Sequence, residues 1–387
     1  MSERRVKVMF VPQWYPSRRN QNGVSGTFCR EHVHAATLYD DVSVLVFNSR
    51  PERRPSLKIE RYDDQGIPTW YASYGHSPIP HTTPPLFWIH MWRAIRKVVK
   101  EWGKPDVIHT QDAYAYPVIR CSRQLGVPYV VSQQWTGFIK REIPTRRIGQ
   151  FRWAFSHAHR VLPVNQYAIQ DYNHYGITAS VRWLPNTIDT TVFRPEPLAA
   201  REPWLLHASG FTAQKRFPDI LRAFAIVQKH NPEAVLQVAG DGHARREMEA
   251  LAREMLPVES VTFHGLLSKP ELAELMRRSR GFIFPSEFET FGCVLMEAMA
   301  CGCPVLTTRV GGIPAVVRDG EGLFVEVGDI EAIADGMLRL LDGTHGIDTE
   351  WVSRDSQDRF SREAVGRVLH EEHLSAAQAA MSPAGRS

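Results

Sequence analysis

The sequence has no run of about 18 apolar residues, so no segment reads as a membrane-spanning helix. Cysteine is sparse: Cys29, Cys121, Cys293, Cys301 and Cys303 make an odd number with no framework spacing. Cys301 and Cys303 form one C-x-C without a second pair, which argues against zinc and for small, buried, reduced thiols. No export signal is expected either. The apolar stretch at 6–11 is short, is interrupted by Lys7 and reads as a first buried strand, so a cytoplasmic protein is expected. No strand-end D-x-D stands ready to hold a divalent ion on a diphosphate. No RNA- or DNA-binding motif accompanies the charge, which disfavours nucleic acid as a partner.

What is present is a chain of 387 residues, longer than the roughly 250–300 at which one core stops growing, so two domains are expected. Its 43% hydrophobic and 23% charged residues place it among soluble globular proteins. The net charge of +4 hides an asymmetry: residues 1–190 hold 25 Lys and Arg against 14 Asp and Glu, and the remainder 21 against 28. The basic half suits an anionic partner, such as an acidic acceptor or an anionic membrane surface.

Short β-rich apolar runs alternate with helical patterns throughout. Strands are expected at 6–11, 42–47, 107–109, 129–132, 160–164 and 181–184, then at 204–208, 235–239, 261–264, 281–284, 304–307 and 322–325. Helices at 217–229, 244–255, 269–279 and 330–341 fall between the later strands. Such alternation predicts α/β domains with doubly wound parallel sheets. The stretch 185–203 holds Pro185, Pro195, Pro197 and Pro203 and no long periodic pattern. It is the expected linker (186–202) between domains at 1–185 and 203–360, with a last helix at 361–378 packing back across the cleft and a frayed tail beyond it. Two such halves with ligands at their strands' carboxyl ends imply a cleft between domains.

The strongest chemical signal is FPSEFETFGCVLMEAMACGCPV at 284–305. A strand ends at Phe284, a loop carries Glu287 and Glu289, and a helix is expected to begin near Phe291. Glu289 and Glu297 lie eight positions apart, just over two helical turns, so both can share one side of the element. Helix-start amides near Gly292 and Cys293 can hold a phosphate, and Gly292 lets it come close. Carboxylates beside a phosphate site suit the vicinal hydroxyls of a nucleotide sugar. From spacing alone, solvated helix-face glutamates fit equally well.

These motifs resemble family 4 of the retaining glycosyltransferases, whose fold is GT-B: two Rossmann-like domains facing an interdomain cleft. The resemblance rests on E-x7-E from Glu289 to Glu297, followed by AMACGCPV and Gly311-Gly312. It extends over WYPS and its glycine loop (14–26), PDVIHT (105–110), LPNTIDTTVF (184–193), AGDG (239–242) and FHG (263–265). It implies a glycogen-synthase-like, group 1 enzyme moving a hexose-type sugar from a UDP- or GDP-linked donor to a sugar, lipid-linked or small-molecule acceptor. In that reading Glu297 binds the ribose, Glu289 the transferred sugar, and the Gly292 and Cys293 amides the diphosphate. Asp241, Gly242, His264 and Gly265 line the nucleotide pocket, and no cofactor or metal is required. Lys215, in SGFTAQKRF (209–217), matches the family lysine that neutralises the diphosphate. A solvated helix-start lysine is its plain alternative. Many relatives carry an arginine five residues earlier, where this chain has Gly210, so Arg216 is the expected substitute cation.

In the first half, NGVSGT (22–27) offers Gly23 and Gly26 for close backbone approach to donor or acceptor, although a tight turn would use the same residues. Relatives often carry histidines where this chain has Gln111 and Gln134, the latter within QQWTG (133–137) before Trp135. Glutamine hydrogen-bonds but carries no proton charge, so these acceptor-side candidates cannot shuttle protons. His109 either orients its strand end or serves the active site. The expected reaction, front-side displacement with the leaving phosphate oxygen taking the acceptor's proton, needs no strong protein base. The helical stretch at 85–105 carries Arg93, Arg96, Lys97 and Lys100 among aromatics. It reads either as a surface for anionic lipid or as a crossover helix packed on its own sheet. A nucleotide-sugar epimerase, a glycogen-phosphorylase-like protein and a catalytically silent binding subunit are the competing readings. The two glutamines weaken the first; the intact Glu289, Glu297 and Lys215 oppose the last.

Overall fold

A computed structural model describes residues 5–16, 26–50, 56–75, 83–197 and 200–381. The chain divides into two compact units, Met1–Thr187 with Arg362–Ser387, and Ile188–Ser361.

The first unit contains strands β1 (Lys7–Val11), β2 (Asp41–Arg50), β3 (Leu57–Asp64), β4 (Ile67–Gly75), β5 (Val107–Gln111), β6 (Tyr129–Gln133) and β7 (Arg160–Pro163). Helices α1 (Thr27–Thr37), α2 (Thr83–Trp102), α3 (Ala115–Leu125), α4 (Thr145–Ser156) and α5 (Ala168–His174) connect them. Among the described residues the sheet order is β3-β4-β2-β1-β5-β6-β7, and only the β3–β4 pair is antiparallel. The central strands are buried on both faces, with apolar residues leading and buried polar residues at the carboxyl ends of β5 and β6. The β3–β4 hairpin was hidden in the sequence because β3 is an edge strand whose charged residues alternate with half-buried ones. Its turn is Gln65–Gly66, both at positive φ, as a two-residue hairpin requires. The strand expected at 181–184 is reduced to one bridge between Val181 and Val161 and one further amide bond, from Leu184 N to Pro163 O; Pro185, lacking an N–H, ends the ladder.

The second unit contains β8 (Glu202–Ala208), β9 (Val235–Ala239), β10 (Val261–Gly265), β11 (Ser279–Phe284), β12 (Val305–Thr308) and β13 (Gly322–Val325). Its helices are α6 (Phe217–His230), α7 (Arg245–Met255), α8 (Lys269–Arg278), α9 (Cys293–Ala300), α10 (Ile313–Val316), α11 (Ile330–Leu341) and α12 (Thr349–Phe360). The order β10-β9-β8-β11-β12-β13 is parallel throughout. Ser268 and Glu271 form a capping box at the start of α8, and Asp329 caps α11 by accepting from Ala332 N.

The last helix, α13 (Arg362–Met381), belongs to the first unit, where it packs on α1. A Cβ at Gly366 would lie 2.3 Å from Ala35 O, so only glycine permits this approach. Val365 and Leu369 are fully buried in the contact, each worth roughly 1.5–3 kcal/mol relative to exposure. Arg362 adds a bifurcated ion pair to Glu31.

Candidate functional site

In the second unit the strand order reverses between β8 and β11, the place where sheets of this kind hold ligands outside the carboxyl ends of their strands. Lys215 follows β8 and Glu289 follows β11. Separated by 74 residues in sequence, they meet in an ion pair of Lys215 Nζ with Glu289 Oε2. Their side chains are 20% and 17% exposed, sheltered enough for charge to count yet open to a ligand. The ammonium also sits 4.7 Å from the Phe284 ring centroid. Main-chain bonds join the loops: Glu287 N donates to Gln214 O at 2.8 Å and Ser286 Oγ to the same carbonyl at 3.1 Å.

Glu289 is fixed from its other side by Gly311 and Gly312. Gly312 N donates to Glu289 O at 3.0 Å. A Cβ on Gly311 would fall 1.9 Å from Glu289 O, and one on Gly312 2.0 Å from Thr290 O. Only glycines let the two loops touch backbone to backbone. The shared helical face expected for Glu289 and Glu297 does not form. Helical geometry starts at Cys293, after Gly292 at φ 93°, so Glu289 is placed by its loop and Glu297, half-buried, lies one turn inside α9. Gly292 stays close to Glu289, and Cys293, half-buried, opens the helix. The other four cysteines are buried.

Arg216 is not beside Lys215's carboxylate. It takes φ 53° at the start of α6, and its Nε donates to Asp219 Oδ2 at 2.6 Å, with Nη1 3.7 Å from Glu287. It lines a separate cavity with Phe211, Thr212, Asp219, Arg222 and His243. Asp241 and Gly242 lie in the turn after β9, and Gly242 packs against Gly210, its Cβ position lying 2.2 Å from Gly210 O. His264 and Gly265 end β10. His264 Nε2 donates to Gln237 Oε1 at 2.6 Å, and burial lowers its pKa, favouring the neutral ring. A residue overlooked in the sequence is His207 on β8. Its Nδ1 donates to Ile283 O at 2.8 Å, so Nε2 accepts from Ser209 Oγ, which in turn accepts from Phe211 N. Burial lowers His207 to about 4, leaving it a neutral prop under the Lys215 loop.

The first unit has its own reversal, between β1 and β5. Here Gln111 Oε1 accepts from Gln13 N at 3.1 Å, Trp14 N at 3.4 Å and the Cys29 thiol at 3.0 Å. Gln111 Nε2, buried, has no partner among the described residues. It lines a small cavity with Cys29, His32, His109, Ser132 and Gln134. His109 is 2% exposed and stacks on Phe10 at 4.5 Å. Its Nδ1 meets His373 Nε2 at 2.8 Å, and its Nε2 meets Ser132 Oγ at 2.7 Å. Asp40 takes the Nδ1 atoms of His373 and His370 at 2.7 and 2.6 Å. A buried polar chain thus runs from α13 to the cavity wall. Burial holds the His109 pKa well below the usual range, so its ring is neutral. Asp112, Gln134 and Trp135 gather at the ends of β5 and β6, with Asp112 accepting the amides of the other two. Asp112 was not singled out in the sequence; its place directly after a buried strand was the available signal. Gly26 caps α1 at φ 84° against Trp14 and Tyr15, and Gly23 lies outside the described residues.

Two Rossmann-like parallel-sheet units, each with its own strand-order reversal, place the fold in the GT-B class. Over 96% of this chain and 100% of the other, the fold superposes on the Anabaena protein Alr3699/HepE in complex with UDP and glucose, at a TM-score of 0.72 and 18% identity. The family model "Glycosyl transferases group 1" matches residues 189–364 and "Glycosyltransferase Family 4" residues 27–192. The chain belongs to glycosyltransferase family 4. Similar curated proteins include N-acetyl-alpha-D-glucosaminyl L-malate synthase of Bacillus anthracis, 39% identical over 37% of this chain and 37% of that protein. D-inositol 3-phosphate glycosyltransferase of Acidothermus cellulolyticus is 30% identical over 68% of this chain and 66% of that protein. The matched stretches therefore span between about a third and two thirds of these relatives' own length.

Proposed function

We propose that the protein is a retaining glycosyltransferase that moves a hexose-type sugar from a nucleoside diphosphate donor to an acceptor hydroxyl. The observation that carries this reading is the contact of Lys215 with Glu289 across the β8/β11 reversal, beside the N-terminus of α9. An ammonium next to helix-start amides is suited to a diphosphate. A carboxylate beside it is suited to sugar hydroxyls. Glu297, one turn further along α9, is assigned to the ribose of the donor. Lys215, rather than a metal ion, meets the charge of the departing phosphate, whose oxygen takes the acceptor's proton. Arg216, held by Asp219, acts indirectly by fixing the loop that carries Lys215. The neutral His109 and the glutamines at 111 and 134 are compatible with a mechanism that asks for no protein base. UDP with glucose in one solved structure of the same fold supports a nucleotide-sugar donor.

The acceptor is assigned to the first unit, around Gln134 and Trp135, and its place of synthesis to a cytoplasmic membrane face. That placement draws on α2. Met91, Ala94, Ile95 and Val98 bury one side of it in the core, while Ile89, Arg93, Arg96 and Lys100 are exposed. Trp88 lies nearby with the Arg120 guanidinium 4.0 Å from its ring. The functional test is release of nucleoside diphosphate from a panel of UDP- and GDP-sugars, with and without candidate acceptors. Acceptor-dependent release and an unchanged anomeric configuration in the product are expected. Release independent of acceptor, or none with any donor, would overturn the assignment.

A further inference from the structure

Asp112 follows β5 at φ 43° and is 1% exposed. Both of its oxygens accept from Gln134 N at 3.1 Å, and Oδ1 also accepts from Trp135 N at 3.1 Å and Gln133 Nε2 at 3.4 Å. Every one of these donors is a neutral N–H. A carboxylate buried without a cation is costly to keep, but its charge makes its hydrogen bonds to two successive backbone amides stronger than those of a neutral oxygen. The neighbouring Gln111 treats the loop after β1 in the same way, through Gln13 N and Trp14 N. The end of β5 is thus a clamp on the two loops that flank it, one side chain for each.

We infer that Asp112 is the positioning residue of the acceptor side, setting the 133–135 segment so that Gln134 and Trp135 meet a polyhydroxyl acceptor in a fixed orientation. The inference rests on the glycosyl-transfer reading for what is bound, and on geometry for the anchoring itself. His32 Nε2 donates to Pro185 O at 2.9 Å, so its Nδ1 is an acceptor. Gln134 Nε2 donates to Asn186 Oδ1 at 3.0 Å and towards that His32 Nδ1 at 3.5 Å. With its amide nitrogen so engaged, Gln134 keeps its Oε1 available to accept from a hydroxyl. The Trp135 ring is seated over Gly137 and against Phe138 and Phe151. Both side chains depend on the backbone that Asp112 grips.

The anchor carries a pH signature. Burial raises the Asp112 carboxyl from 3.8 to about 7, against the pull of the bonds from Trp135, Gln134 and Gln133. The titratable groups facing it, Tyr172 on α5 and Cys29 on α1, are both held neutral by burial. Above about pH 7 the carboxylate accepts both amides; below it, one oxygen becomes a donor facing donors and the grip loosens. Folding stability runs the other way. The folded pKa exceeds the unfolded one, so this group's contribution is fully present below 3.8 and is lost as pH rises through about 7.

The test compares wild type with Asp112→Asn and Asp112→Ala across the neutral range. Hydrogen-exchange protection of the Gln134 and Trp135 amides is read without substrate, then acceptor KM and donor Kd. Wild-type protection should rise through about pH 7, and in Asp112→Asn it should be flat and about tenfold lower, the scale of one charge-assisted hydrogen bond. Acceptor KM should rise about tenfold in that variant while donor Kd stays within about twofold. Unchanged protection would overturn the anchoring whatever the activity. Lost protection with acceptor and donor constants moving together would reduce Asp112 to a structural role. A wild type that transfers nothing would remove the glycosyl-transfer reading and the acceptor role with it, while the exchange data would still report the anchoring.

Discussion

Replacing Glu289 by glutamine should tighten the binding of a free nucleoside diphosphate while slowing sugar transfer. Glutamine keeps the size of the side chain and an oxygen for Lys215 Nζ, so the packing by Gly311 and Gly312 is undisturbed. What disappears is one negative charge beside the lysine. Two unit charges about 4 Å apart at an effective dielectric of about 20 interact by ~4 kcal/mol. Both groups retain some exposure (20% and 17%), and solvent and salt bring the usable part to roughly 1–1.5 kcal/mol. That corresponds to a Kd about five- to tenfold lower for UDP or GDP. Transfer loses a charge-assisted contact to the sugar, about 1.5–3 kcal/mol, or roughly 10- to 100-fold in kcat. Titration calorimetry at low and moderate salt reads the first effect, and the gain should shrink as salt rises. Lys215→Met is the control with opposite sign, weakening the same nucleotide by more than about tenfold. If Glu289→Gln, with an unchanged unfolding temperature, binds the diphosphate more weakly than wild type, the lysine is not shared between carboxylate and phosphate, and this reasoning fails.

Further expectations concern packing, buried charge and the surface. Gly311→Ala places a Cβ 1.9 Å from Glu289 O at φ 53°, and should lower the unfolding temperature by several degrees and transfer by more than tenfold. Calorimetry and an activity assay matching wild type would show that these loops are not pinned there. Asp40→Asn leaves one of the His370 and His373 Nδ1 donors without its acceptor, at about 1–3 kcal/mol, which chemical denaturation measures as a lower midpoint at constant slope. Arg93, Arg96 and Lys100 exchanged together for glutamate should abolish co-sedimentation with vesicles of anionic lipid at moderate salt, leaving activity on a soluble acceptor unchanged. Equal sedimentation of wild type and variant would leave α2 a crossover helix only.

The second unit was largely legible because its strands are short, mostly apolar segments separated by amphipathic helices. Expected and observed strands there agree to within a residue or two at each end. The β3–β4 hairpin escaped because LKIERYDD exposes charge on alternate residues and so reads as loop. Helix α12 escaped for a similar reason: TEWVSRDSQDRF buries only Val352, Ser353, Ser356 and Phe360. Lys215 and Glu289 could each be chosen from their own motif, but their contact arises from strand order, which no local pattern carries. Helical spacing misled at Glu289 because Gly292 delays the helix until Cys293. The position of Asp112 after a buried strand was readable, but its anchoring role was not, because its partners lie 21–23 residues away at the end of a different strand.

A crystal structure with a bound nucleoside diphosphate sugar tests the assignment most directly. The diphosphate should lie within hydrogen-bonding distance of Lys215 Nζ and the first turn of α9, the ribose hydroxyls on Glu297, and the sugar on Glu289. Density for the nucleotide elsewhere, with these three side chains untouched, would contradict the assignment of this site to the donor.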